Sequence, residues 1–146
     1  MFNALGARRY KQVGVETASP GQLLLALYST AIRYARKAAQ SIRNGDVVAK
    51  GTELQRVSAI VGELASTLDH AVAPELCGRL EQLYFYMQER LTYANVALDA
   101  DAAEEVANLL TTLHEGWTEA VAEAERERPA KGPAARLAAA AAAAGR

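Results

Sequence analysis

Larger apolar side chains return every three or four positions in four separate stretches of the chain, and each stretch opens or closes on residues suited to a helix end. The first starts at Ser19-Pro20-Gly21-Gln22: a hydroxyl cap, proline at the first helical position and glutamine at the third. Asn44-Gly45 tolerates left-handed backbone and closes it. Asp46 can cap a second helix, predicted to run to about Asp69 on the stripe Leu54, Val57, Ile60, Val61, Leu64 and Leu68. The third begins near Pro74 and repeats Leu76, Leu80, Leu83, Met87, Leu91, Ala94 and Leu98. Asp101 with Glu104 imitates a capping box before the fourth, whose stripe is Val106, Leu109, Leu110, Leu113, Trp117, Ala120 and Ala124. Four helices of roughly 25 residues, ~37 Å long, joined by links of about two to five residues, predict an all-α, antiparallel up-down-up-down four-helix bundle.

Two of the stretches carry more apolar surface than a bundle helix needs. On the first, Leu23, Leu27, Tyr28, Ile32, Tyr34, Ile42 and the alanines between them fill an arc of ~200°. On the third, Phe85, Tyr86, Tyr93 and Val96 cluster within about 100° on the side away from Leu80 and Met87. Either surface could be covered by the amino-terminal segment, with Phe2, Leu5, Tyr10, Val13 and Val15, by a partner, or by a second copy of the chain. The expected organisation is an amino-terminal lid over residues 1–18, the bundle over 19–128, and a Pro/Ala-rich flexible tail over 129–146.

Composition agrees with helix: alanine, leucine, glutamate and arginine are abundant, while ten Gly and four Pro among 146 residues leave few turns. The formal net charge is -1, but it is segregated. Basic residues lead through residues 1–45, and residues 91–125 carry acids and no base. An acidic last helix beside a basic first one explains that pattern without nucleic acid. The one cysteine, Cys77, excludes an internal disulfide and suits a reducing compartment. No apolar stretch has signal-peptide or membrane-spanning length, so a cytoplasmic protein with no membrane insertion is expected.

Catalytic and metal chemistry find little support. A di-iron bundle needs Glu-x-x-His pairs, and Thr67 and Thr111 stand three residues before His70 and His114. No glycine-rich phosphate cradle occurs. A histidine phosphotransfer domain is the alternative from another class, with His114 beside the apolar stripe of the fourth helix as its reactive imidazole. A structural helical homodimer is a further alternative.

Tyr10-Lys11-Gln12-Val13, Val15-Glu16-Thr17-Ala18-Ser19-Pro20, Leu23-Leu24-Leu25-Ala26-Leu27-Tyr28 and Ala31-Ile32-Arg33 closely resemble the opening of the flagellar secretion chaperone family, the FliS-type proteins. Glu63-Leu64, Leu68-Asp69, Leu83-Tyr84, Tyr86-Met87, Arg90-Leu91, Ala94-Asn95 and the run from Glu105-Val106 to Trp117 continue the likeness in order. The chain departs from it at Ser29-Thr30, where Asp-Gly is common, and at Phe85, where an aspartate is usual. The resemblance implies a non-enzymatic, cofactor-free chaperone that binds the disordered carboxyl-terminal segment of flagellin, prevents premature polymerisation and assists delivery to the flagellar type III export apparatus. On that footing the candidate flagellin-binding residues are Tyr10 and Val13, as lid or groove contacts, and Leu23, Leu27, Tyr86 and Tyr93, as groove walls.

Overall fold

In the computed structural model, which describes residues 19–127, the chain enters its first helix at the expected cap: the Gln22 amide donates to Ser19 Oγ at 3.2 Å. Tyr10 and Val13, with the lid segment 1–18, and the tail 129–146 lie outside the described residues. Helix α1 spans Pro20–Arg43, α2 Val47–Ser66, α3 Pro74–Ala97 and α4 Ala100–Glu127. Gly45, at φ 73°, makes the left-handed turn after α1, and the Ala49 amide donates to Asp46 Oδ1 at 3.1 Å to start α2.

Three boundaries differ from expectation. Helix α2 stops at Ser66, so residues 67–73 form a longer link than expected, with Asp69 Oδ1 accepting from the Ala71 amide at 3.1 Å. Leu98 leaves the apolar stripe of α3: it adopts φ 55° as the left-handed C-cap and is exposed. The turn it makes is so tight that Asp99, not Asp101, caps α4, its Oδ1 accepting from the Ala102 amide at 3.2 Å. Asp101 and Glu104 instead meet Arg43 at 3.6 and 3.3 Å, joining the last turn of α1 to the first turn of α4. That placement complements both helix dipoles.

The helices pack in a ring, α1 beside α2 and α4, and α3 completing it between them. Antiparallel neighbours follow from the links between them. Ser19 donates to Glu125 at 2.8 Å at one end of the α1–α4 seam, and Arg43 reaches Asp101 at the other. Between α2 and α3, Lys50 Nζ donates to the Asn95 carbonyl at 3.3 Å, while Ser58 Oγ donates to Gln88 Oε1 at 2.7 Å.

The core collects the expected stripes: Val57, Val61, Leu64, Met87, Val106 and Leu110 are fully buried. Each such side chain contributes about 1.5–3 kcal/mol by leaving water. Three aromatic tips meet among them. Trp117 Nε1 donates to Tyr28 Oη at 3.1 Å, and the Tyr28 and Tyr84 hydroxyls share a hydrogen bond. This chain satisfies three buried polar groups from α1, α3 and α4 at once. Burial pushes the Tyr28 phenol up to about 12, and burial followed by its Tyr28 neighbour raises Tyr84 as well.

Candidate functional site

Helix α3 is divided along its length. Leu80, Tyr84, Met87, Leu91 and Ala94 face the core, a spacing that leaves the opposite side to solvent. There Phe85 is 65% exposed, Tyr86 39%, Tyr93 49% and Val96 78%. Residues seven apart lie two turns along one face, ~10.5 Å, so Tyr86 and Tyr93 form the ends of a short ledge. An exposed cluster of large apolar side chains of this kind is a candidate for binding.

The ledge is tied to α4 by one carboxylate. Tyr86 Oη donates to Glu105 Oε2 at 2.6 Å, and Arg90 Nε donates to Glu105 Oε1 at 2.8 Å. The Arg90 guanidinium then lies over the Tyr93 ring at 5.1 Å, a cation–π arrangement. Donation to Glu105 raises the pKa of the Tyr86 phenol, and the hydrogen bond to the same carboxylate raises that of Arg90. The polar tips are thereby occupied and oriented while ring surface stays open. This suits the burial of an apolar guest with little further loss of side-chain freedom.

The structure therefore brings Tyr86 and Tyr93 together with Phe85 and Val96. It does not bring Leu23 or Leu27 to them. Both lie on α1, across the ring, and are 4% and 3% exposed. The wide apolar arc of α1 is mostly covered, because α2 and α4 close on it from two sides; Leu25, Tyr34 and Ile42 are only partly buried against the core.

His114 is half-buried, with its Nε2 3.2 Å from Ser29 Oγ and its ring tilted against Tyr28 at 6.5 Å. Among the described residues no group of three or more His, Cys, Asp or Glu side chains could hold a metal ion, and no helix is long and apolar enough to cross a membrane. Cys77 is buried, and desolvation raises its thiol pKa, which keeps it protonated and unreactive.

Sequence reasoning missed two side-chain networks, one at the ledge and one in the core. The Arg90–Glu105 clamp crosses between helices, and only the spacing of Arg90 four residues after Tyr86 hinted at it. The Tyr28–Tyr84–Trp117 chain could have been suspected from three polar-tipped aromatics at core positions of three helices.

Residues 1–124 match the model of a family described as flagellar protein FliS. A flagellar secretion chaperone FliS from Salmonella typhimurium is 39% identical over 122 residues, covering 80% of this chain and 90% of its own. The flagellar secretion chaperone FliS of Bacillus subtilis is 34% identical over 123 residues, covering 84% and 91% respectively. The flagellar secretion chaperone FliSB of Pseudomonas aeruginosa is 30% identical over 121 residues, covering 80% and 96%.

Proposed function

The chain belongs to the flagellar protein FliS family, and from that premise we propose that it is a flagellar secretion chaperone that binds the disordered carboxyl-terminal segment of flagellin. The observation that carries the reading is the open aromatic ledge on α3. In this reading the segment folds onto Tyr86 and Tyr93, with Phe85 and Val96 widening the contact. Leu23 and Leu27 support the bundle from α1, and Tyr10 and Val13 belong to a lid that competes for the same apolar surface.

The mechanism needs no catalytic step and no cofactor. Wrapping a disordered segment buries about 1,000–3,000 Å² while ordering it costs several kcal/mol, so a large contact stays reversible. A micromolar complex corresponds to about -8 kcal/mol. Masking the segment withholds it from self-assembly, and transfer to the flagellar type III export apparatus proceeds by competition for the complex. The chaperone works in the cytoplasm, before export.

Calorimetric titration with a flagellin carboxyl-terminal peptide tests this. Binding is expected, and Tyr86→Asp combined with Tyr93→Asp should weaken it about tenfold or more while helical circular dichroism stays unchanged. Flagellin lacking its carboxyl-terminal segment that bound as tightly as the intact protein would remove the assignment.

A further inference from the structure

Across the ring from the ledge, α1 and α4 flank a shallow, open surface groove of about 590 Å³. Arg33, Arg36 and Lys37 line one side, Ile32 gives it an apolar wall, and Ser29 with His114 closes one end. The three cations are exposed, and among the described residues none of them forms an ion pair. Arg36 Nη2 donates to the neutral Thr111 hydroxyl at 3.2 Å. Arg33 and Lys37 stand over the Tyr34 ring at 5.3 and 5.5 Å, joined there by Arg56 of α2 at 5.1 Å. Three cations are thus gathered by one aromatic ring, and Arg36 beside them extends the band toward α4. Arg43, two turns further along α1, has both Asp101 and Glu104.

The bundle has acids to spare and does not spend them here, since the α4 side chains at this groove are Thr111 and His114. We propose that the α1–α4 groove is a docking surface for an acidic helical segment of a partner protein, and that it can be filled while the ledge on α3 is occupied. Charge complementarity selects the occupant. The chain's own flanking segments, 1–18 and 128–146, contribute seven bases and only Glu16 as an acid, so neither suits the groove. A long polyanion such as duplex nucleic acid would run off the patch onto the exposed Glu115, Glu119 and Glu123 of α4. A short helix does not. Arg33 and Lys37 are one turn apart, ~6 Å along α1, the same rise that separates carboxylates at i and i+4 on a guest helix. Ile32, at the groove wall beside them, adds the apolar part of its lining.

The inference is independent of the ledge reading, and one calorimetric series on the full chain at physiological ionic strength separates the two. The probes are two short helical peptides of identical composition, one with glutamates spaced at i, i+4 and i+7 around a leucine, the other with the glutamates adjacent. The spaced peptide should bind about tenfold tighter. The triple variant Arg33→Gln, Arg36→Gln, Lys37→Gln should lose that preference, with its thermal midpoint checked. The single variant Lys37→Gln should reduce the preference if the triple proves unstable. The Tyr86→Asp, Tyr93→Asp variant should keep it. Equal binding of both peptides overturns the proposal. So does tighter binding of a single-stranded DNA of equal charge, or self-association that the spaced peptide fails to displace and the triple variant abolishes.

Discussion

Helices α1 and α3 are each 24 residues long and each carries surplus apolar side chain, yet ten residues of α1 are buried and six of α3. Direction and size together account for the difference. Much of the α1 surplus is Gly21, Ala31, Ala35, Ala38 and Ala39, small enough for α2 and α4 to approach closely on both sides. A Cβ on Gly21 would lie 2.8 Å from Val121 Cγ1, which shows how near α4 comes. The surplus on α3 is two tyrosines, a phenylalanine and a valine on the side opposite the core stripe, turned away from the neighbouring helices. A surplus that faces neighbouring helices is therefore absorbed by close packing, and one that faces away from them stays open.

The sharpest contrast between the two helices is expected from truncation. Leu27→Ala should cost about 3 kcal/mol in urea denaturation, because it leaves a cavity in the core. Phe85→Ser on α3 should stay within ~0.5 kcal/mol. A loss above that for Phe85 would show that the ledge is packed after all.

Removing the hydroxyl of Tyr28 should cost about 1–3 kcal/mol, since Trp117 Nε1 and the Tyr84 hydroxyl lose their partner. The same residue sets an alkaline limit. Its folded pKa of about 12 exceeds the ordinary 10.0, so its contribution is complete below pH 10 and is lost as pH rises toward the folded value. Over that window the unfolded chain releases a proton that the native one keeps. Stability should fall by up to about 1.4 kcal/mol per pH unit on account of this residue. Denaturation at stepped alkaline pH should show a shallower decline in Tyr28→Phe.

Gly21→Ala offers a finer probe of the α1–α4 approach. Its added methyl gains helix propensity of up to about 1 kcal/mol but overlaps Val121, so a net cost of about 1 kcal/mol is expected. Val121→Ala should relieve the overlap, giving a favourable coupling of ~1 kcal/mol in a double-mutant cycle. At the end of α3 the sign reverses. Leu98 holds φ 55° without burying its side chain, so Leu98→Gly should stabilise the protein by about 1 kcal/mol and raise its thermal midpoint by a few degrees.

Much of the fold was legible because the caps are local signals. Ser19 and Asp46 lie where their hydrogen bonds require, and apart from Leu98 the stripes of all four helices reached or packed against the core. The capping box at Asp101 misled because Asp99 lies two residues earlier, and a left-handed leucine made that register the one that fits. The ledge was legible from the helical wheel, since Phe85, Tyr86, Tyr93 and Val96 oppose the core stripe whatever the neighbours do. Leu23 and Leu27 were harder to place. A wheel gives direction but not how closely the next helix approaches, and on an alanine-rich helix that distance decides exposure. Charge segregation announced the Arg43 pairs but not the cations at Tyr34, whose partners depend on which α4 residues face them.

The long link of residues 67–73 sits at the pole where α1 begins and α4 finishes, whereas the aromatic ledge and the cationic band both lie in the half toward the opposite pole. A dye or reporter domain inserted beside the exposed His70 would ride clear of both faces, so traffic across the two could be watched by fluorescence in a single working molecule.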